Sequence, residues 1–455
     1  MARTSSHNVV IPLSSEITAS EDPLYLICNP LSGKVAILEE KEYGTLASFT
    51  CGTPSTLSLL KEYGFITSLT ELEEKELLME KYNAQKASGE PTASISVTYQ
   101  CNMRCTYCWT DHLLSRGAKW MNAVIDEKTV NAAFHAIENI PELEGVTLLS
   151  LYGGEPFLPS TLSIVQYILD HGDKKDYTFH ANTNGYFLEQ FVPLLSSHEV
   201  TGLGVTLDGC KEVHDQRRRK KDGSGTFDNI VRGIEEALDA GIRIGVRVNV
   251  DEDNLSHLPK FAEWITSHGW AHRDNITFSI ALVLEGKGMS SPSFLSYTEM
   301  ARRILDLREK EPRVFEVMLY EWTYMKKGFL SHALTTGEDI VPRPFYCSAH
   351  CKGFGFDLFG DIYSCPRAVG DTEFSIGRFV PQLEFNEKYH QWFNRDVLSI
   401  PECRECELAL LCGGGCAYRA YLEHGDIYRA DCDNYKAFVS YGVPFFVRKI
   451  LELQK

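Results

Sequence analysis

Cysteine is the residue type whose placement in this chain most strongly implies chemistry. Of 14 cysteines in 455 residues, three crowd into 101–108 and eight fall between 347 and 432; Cys28, Cys51 and Cys210 stand apart. The first cluster reads Cys101-Asn-Met-Arg-Cys105-Thr-Tyr-Cys108. Three thiolates at that spacing face one point only if the loop wraps around a bound object. Structural zinc takes four ligands, usually as pairs separated by longer gaps. Three ligands with no near fourth suit an iron–sulfur cubane that leaves one iron open, and a zinc knuckle or plain buried thiols are the alternatives. No secretory h-region opens the sequence (MARTSSHNVV), so the expectation is a cytoplasmic protein whose thiols are ligands or catalytic groups, not a disulfide framework.

The elements that must position this loop are readable from the apolar pattern. Strands are expected at 93–99, 146–152, 177–182, 203–207, 242–250 and 276–283, separated by amphipathic helices such as 126–140, 229–241 and 258–269. Short apolar strands alternating with helices indicate parallel βαβ units with buried strands. Six units are too few to close an eight-stranded barrel, so the expectation is α/β, a partial (β/α)6 TIM barrel over 93–310. The cysteine loop then leaves the carboxyl end of its first strand, where such barrels place their chemistry. Ahead of it, residues 23–46 read as a β-hairpin and 53–64 and 70–85 as amphipathic stretches, giving a small domain over 1–88 with KASGEPT (86–92) as linker. From 311 to 455 loops, short hairpins and cysteines take over, one hairpin turning at Gly360-Asp361, as in a region held by metal.

CNMRCTYC resembles the C-x3-C-x-aromatic-C signature of the radical S-adenosylmethionine (SAM) superfamily. The resemblance implies a [4Fe–4S] cluster on Cys101, Cys105 and Cys108 whose fourth iron chelates SAM, and it makes Tyr107 a SAM contact. Three further matches sit at successive strand ends. YGGEPFL (152–158) resembles the GGEP motif, in which Gly153 and Gly154 allow close backbone approach and Glu155 holds the ammonium of SAM. TNGYFL (183–188) resembles the TNG motif and implies that Asn184 lies near the ribose. VTLDG (205–209) resembles S-L-D-G with Thr206 in place of serine, and HDQR (214–217) offers Arg217 to the SAM carboxylate.

Cys403-x2-Cys406-x5-Cys412-x3-Cys416, followed by Cys432, resembles the SPASM extension of radical SAM enzymes that modify peptides and proteins. The upstream half of that pattern is Cys347-x12-Gly360-x4-Cys365, with Cys351 inside it. By position, the resemblance implies one auxiliary [4Fe–4S] cluster on Cys347, Cys351, Cys365 and Cys416 and another on Cys403, Cys406, Cys412 and Cys432, three clusters in all. Two zinc sites of four thiolates are the alternative. Cys28 and Cys51 read as small buried apolar residues, and Cys210, just past the LDG strand end, as bordering the active site. The residues 1–88 resemble the winged-helix-like recognition element of peptide maturases, where a leader peptide adds a strand to a sheet edge; a structural cap is the alternative.

Lys plus Arg number 45 against 62 Asp plus Glu, a net charge of -17, which argues against nucleic acid or an anionic membrane surface as partner. No apolar run is long enough to span a bilayer. RRRKK (217–221) reads, Arg217 aside, as a solvated loop or a docking patch for an acidic reductant. His180 and His214 lack ligand spacing and read as structural. The resemblance thus implies a peptide maturase, its partners a precursor peptide and an electron donor such as flavodoxin or ferredoxin, that forms a thioether or carbon–carbon crosslink. An anaerobic sulfatase maturase is the nearest alternative; such enzymes carry an aspartate after the ligand corresponding to Cys365, where this chain has Pro366. A small-molecule radical SAM enzyme and a non-catalytic, metal-stabilised binding scaffold are more distant ones.

Overall fold

The computed structural model describes residues 2–13, 22–48, 53–320 and 328–453. Six parallel strands follow one another across one sheet: β1 (Thr92–Thr98), β2 (Leu148–Gly153), β3 (Thr178–Thr183), β4 (Val200–Thr206), β5 (Ile244–Val250) and β6 (Ile276–Leu282). Each lies within a few residues of its expected position. Helices Glu127–Asn139, Phe227–Asp239 and Leu258–Ser267 fall where the periodicity puts them, the first capped by the Asp126 carboxylate on the Thr129 N–H.

The strands are not buried on both faces, as a parallel sheet usually is. Ile95, Val97, Leu149, Leu151, Phe179, Ala181, Leu203, Val205, Val246 and Val248 pack into the core. The alternate positions are polar or small and open to solvent in part or fully: Ser150, Tyr152, His180, Asn182, Gly204, Thr206, Arg247, Asn249 and Ser279. Only β1 keeps that face closed, with Ser96 and Thr98 buried. Whereas a complete eight-stranded barrel fills its interior with branched side chains, this partial one keeps a polar inner face that is partly open to solvent.

The sheet continues past β1. Gly353–Phe356 pairs in parallel with the start of β1, then Asp361–Tyr363, Ser375–Arg378 and Glu384–Phe385 add antiparallel, and Leu319–Tyr320 extends the far edge beyond β6, making 11 strands. The hairpin expected at Gly360-Asp361 is present, with Gly360 in the left-handed region (φ 85°).

Ahead of the barrel, Val9–Leu13, Leu24–Cys28 and Val35–Glu39 form a three-stranded antiparallel sheet. Helices Glu40–Ser48, Pro54–Glu62 and Glu71–Ala87 follow, the last opened by a Thr70–Glu73 capping box. Ile27 and Leu38 pack with Leu46, Leu60 and Phe65 in a core of their own, while Leu26 and Cys28 on the other face join the main core. Cys28 is fully buried, as expected; Cys51 lies outside the described residues. The helix Glu71–Ala87 takes up the first residues of the expected linker, leaving 88–91 as the connection.

Candidate functional site

The cysteine loop leaves the end of β1 and is held from the side. Met103–Cys105 pairs antiparallel with Arg218–Lys220, so the basic run is not a solvated loop. Arg218 is buried, at 7% exposure. Burial raises Cys101 to about 12, with Glu155, Cys105 and Cys108 adding to it, and raises Cys105 to about 11, which Arg218 draws back down and Cys108 pushes up. Cys101 and Cys105, raised by burial and within electrostatic range of one another and of Cys108, need a positive centre to become thiolates together. Among the described residues no group of three or more His, Cys, Asp or Glu side chains converges as around a single metal ion. A cubane is wider than one ion and does not require its ligands to meet at one atom.

The end of β2 is bonded to this loop through backbone alone. The Gly154 N–H donates to the Thr98 carbonyl and the Glu155 N–H to the Gln100 carbonyl, both at 2.8 Å. A Cβ on Gly154 would stand 2.3 Å from the Tyr99 carbonyl oxygen. Gly153 has φ 135°, a conformation that side chains resist. Glu155 is 1% exposed; one carboxylate oxygen accepts from the Thr183 hydroxyl (2.6 Å) and the Phe157 N–H (2.9 Å), the other from the Asn184 N–H (2.6 Å). Burial lifts the carboxyl to about 7 against these bonds. With three of about four lone-pair positions filled, one remains for a further donor. The Asn184 amide in turn donates to Asn102 Oδ1 (2.9 Å) and contacts Cys101 Sγ at 3.6 Å. Thus β2 and β3 both end against the cysteine loop.

At the end of β4 stands a buried network that the sequence motifs only partly indicated. Asp208 accepts from the Tyr107 hydroxyl, Arg217 Nε (3.4 Å) and the Asn249 N–H (3.1 Å). Arg217 also donates to Asp251 (2.6 Å) and the Asn249 carbonyl (3.2 Å), and its guanidinium covers the Tyr107 ring. It is committed to protein partners. Arg218 is the basic side chain here with a donor to spare: Nη1 donates to the Tyr107 hydroxyl (2.8 Å), while among the described residues its buried Nε has no partner, nor does Asn102 Nδ2. Orphaned donors beside Cys101 and Cys105 fit an anionic occupant. Thr206 lies half-buried on the inner face of β4. Cys210 does not border this site; it lines a cleft with Lys211, Phe227, Lys260 and Trp264 on the helix side. His214 is buried between the Asp208 N–H and the Thr226 hydroxyl, and His180 binds the Gly202 carbonyl, both structural as expected.

The eight late thiols separate into two neighbourhoods. Cys347, at the surface, lies within electrostatic range of Cys416 and Cys351, and Cys365 is raised by burial with Cys416 and Cys347 nearby. Cys403, raised to about 12, and Cys412, raised to about 11, are likewise shifted by burial and feel Cys432 and Cys406. Cys347, Cys365 and Cys416 thus lie within electrostatic range of one another, as do Cys403, Cys406, Cys412 and Cys432. Cys351 is the outlying member; it faces Gly89, where a Cβ would meet its sulfur at 2.6 Å, on the wall of a cavity of about 510 Å³ that Cys347, Arg343 and Tyr435 also line. Tyr152, which sequence reasoning passed over, joins the two regions. Burial raises its hydroxyl, and it lies within electrostatic range of Cys365 and Cys108, one thiol from each side, and of Arg367 and Arg247.

Residues 95–265 match the model of the radical SAM superfamily. An uncharacterized protein of Archaeoglobus fulgidus is 23% identical over 84% of this chain and 89% of its own length. The cysteine-type anaerobic sulfatase-maturating enzyme of Clostridium perfringens is 22% identical over 76% of this chain and 94% of its own. Among solved structures, anSMEcpe with bound AdoMet superposes with a TM-score of 0.60 at 19% identity, covering 80% of this chain and 100% of that one. Streptococcus suis SuiB bound to S-adenosylmethionine gives 0.52 at 14% identity, covering 90% and 98%. The SuiB complex with its precursor peptide SuiA gives 0.51 at 14% identity, covering 94% and 98%.

Proposed function

We propose, from the premise that this chain belongs to the radical SAM superfamily, that it is a peptide maturase which joins two residues of a precursor peptide by a thioether or carbon–carbon bond. Cys101, Cys105 and Cys108 would hold the [4Fe–4S] cluster that binds SAM. Gly153, Gly154, Glu155, Asn184, Thr206 and Tyr107 would shape the SAM site. When bound, cluster and SAM supply a 5′-deoxyadenosyl radical, which takes hydrogen from a substrate carbon; this is the cofactor's chemistry. The chain's part is to bind, orient and exclude. Glu155 keeps one acceptor position for the SAM ammonium. Arg218, in place of Arg217, offers its free Nε to the carboxylate. Cys347, Cys351, Cys365 and Cys416, and Cys403, Cys406, Cys412 and Cys432, would hold two auxiliary clusters in a SPASM-type domain over 311–455.

The observation that carries the reading is Tyr152, half-buried on the inner face of the barrel and within electrostatic range of both Cys108 and Cys365. A substrate there lies between the first thiol loop and the late thiols. The unit over 1–88 supports a peptide as substrate, because its three-stranded sheet and helices suit a winged-helix-like recognition module with edges for an added strand. An electron donor such as flavodoxin or ferredoxin would reduce the SAM cluster, and closing the new bond would release a proton and an electron, for which an auxiliary cluster would be the acceptor. Similarity to the Clostridium perfringens enzyme favours a second reading, oxidation of a Cys or Ser to formylglycine, against which stands Pro366 after Cys365.

Reconstituted protein, SAM and a reductant are incubated anaerobically with the short peptide encoded beside the gene, and the peptide is weighed. A peptide lighter by two hydrogens with one residue pair linked is expected. An unchanged peptide despite deoxyadenosine release removes the maturase reading for that peptide, and formylglycine on a sulfatase peptide establishes the alternative.

A further inference from the structure

Arg395 has no exposed surface and, among the described residues, no ion pair with a carboxylate. Its guanidinium is instead surrounded by carbonyl oxygens: Nη1 donates to Gly415 (3.1 Å), Nη2 to Gly414 (3.1 Å) and Arg429 (3.0 Å), and Nε to Ile427. Nη1 also meets His350 Nε2 at 3.4 Å, and the other ring nitrogen of His350 is 3.0 Å from the Trp392 carbonyl. Asp431, a carboxylate within electrostatic range, accepts from the Cys416 N–H and pairs with Arg419. Carbonyl dipoles orient a buried cation but leave its charge uncancelled, so a counter-charge is required. Besides that carboxylate, which is already paired with Arg419, the groups within electrostatic range that could carry it are Cys416 and Cys347 from one late thiol group and Cys403 from the other.

The segments that Arg395 grips are the ones bearing those thiols. Gly414 and Gly415 lie in the stretch joining Cys412, of the second group, to Cys416, of the first; Ile427 and Arg429 lead into Cys432; His350 stands beside Cys351. Gly415 is in the left-handed region (φ 73°), and a Cβ there would meet the Asp431 carbonyl oxygen at 1.9 Å, so this wrapping admits no side chain.

We infer that Arg395 is the shared counter-charge of both late thiol groups, a positioning residue that holds their ligand segments together and raises the reduction potentials of both auxiliary clusters. The inference rests on the cluster assignment above. A fixed positive charge stabilises the reduced, more negative state of each cluster, and low dielectric gives it reach.

The test is a redox titration of the reconstituted full chain, read by electron paramagnetic resonance of the auxiliary clusters, with iron and sulfide counted first. In Arg395→Gln, which removes the charge and keeps donors, both auxiliary potentials are expected to fall, each by at least the 59 mV that equals a tenfold change in a one-electron equilibrium. Arg395→Lys keeps the charge with fewer bonds; it is expected to hold wild-type iron and near wild-type potentials while melting at a lower temperature. Full iron with unmoved potentials in Arg395→Gln overturns the inference, and so does movement of one potential only. If Arg395→Gln fails to assemble, Arg395→Lys decides: intact clusters support a charge role, and loss of both overturns it. Wild-type protein that carries zinc without sulfide at the late thiols removes the cluster assignment itself and the inference with it.

Discussion

Asp357 sits at the joint between the barrel and the hairpin that leads to Cys365, and it offers a clean measurement. It is 1% exposed. One carboxylate oxygen accepts from the Phe359 and Asp361 N–H groups, both at 2.9 Å, and the other from the Tyr99 hydroxyl at 3.0 Å, two residues before Cys101. Burial outweighs these bonds and lifts the carboxyl from an ordinary 3.8 to about 6. A carboxyl raised in the folded state binds its proton more tightly there than in the unfolded chain. Its contribution therefore favours folding fully below 3.8 and is lost as pH rises through about 6. A shift of about 2 units corresponds to about 3 kcal/mol. About half of that is already lost at pH 5, so about 1.5 kcal/mol remains to be lost between pH 5 and pH 8. Asp357→Asn keeps an oxygen for both backbone donors and presents an amide to the Tyr99 oxygen, so the bonds survive and the charge does not. Denaturant unfolding of both proteins at pH 5 and pH 8 should show the stability difference moving by about 1.5 kcal/mol in favour of Asp357→Asn at the higher pH. A difference independent of pH, or one moving toward the wild type, refutes the argument that burial dominates at this carboxyl.

Gly154→Ala forces a methyl against the Tyr99 and Gln100 carbonyls and breaks two backbone hydrogen bonds; a loss of about 3 kcal/mol and of SAM binding is expected by thermal melting and isothermal titration. Glu155→Gln turns an amide donor toward either the Asn184 N–H or the Thr183 and Phe157 donors; SAM affinity should drop at least tenfold by titration, with about 1–3 kcal/mol of stability lost, and wild-type affinity would sink the assignment of its free lone pair. Cys101→Ala should abolish deoxyadenosine release while leaving the absorbance of the auxiliary clusters, and loss of all cluster absorbance would overturn the division of the thiols.

How much of this could be read from the residues depended on range. The six strands and their helices are local patterns, and the structure has each within a few residues of its expected position. The short spacing of Cys101, Cys105 and Cys108 likewise made one loop legible. The open inner face of the barrel was present as the alternation of Ile-Gly-Val-Arg-Val-Asn-Val in β5, but apolar density suggested strands buried on both faces. What stayed illegible is set by convergence in space. Arg217 and Arg218 are neighbours in sequence, and only the fold turns one toward Asp208 and Asp251 and leaves the other with a free Nε. Arg395 belongs to no motif; its surroundings come from three segments that share nothing in sequence but their cysteines. Cys210 directly follows the LDG strand end in sequence, and only the fold shows it lining a cleft among the helices with Lys211, Phe227, Lys260 and Trp264.

The continuity of the sheet bears on how two chemical regions could be kept in register. Gly353–Phe356 pairs with β1 from Thr92 to Ile95, so the loop carrying Cys101 and the hairpin leading to Cys365 hang from adjacent strands. Their separation is then fixed by backbone hydrogen bonds, each costly to leave unmade, and by Tyr99, which stacks on Trp120 and bonds to Asp357. A linker between separately folded domains would let the two thiol regions drift; a shared sheet does not. Because the apolar faces of the strands are spent on the helices, the inner face contributes little to stability and is free to be polar. On the proposed function, a substrate lying across Tyr152 would displace no part of the core, and its reacting carbon would be placed by the same strands that hold both thiol regions.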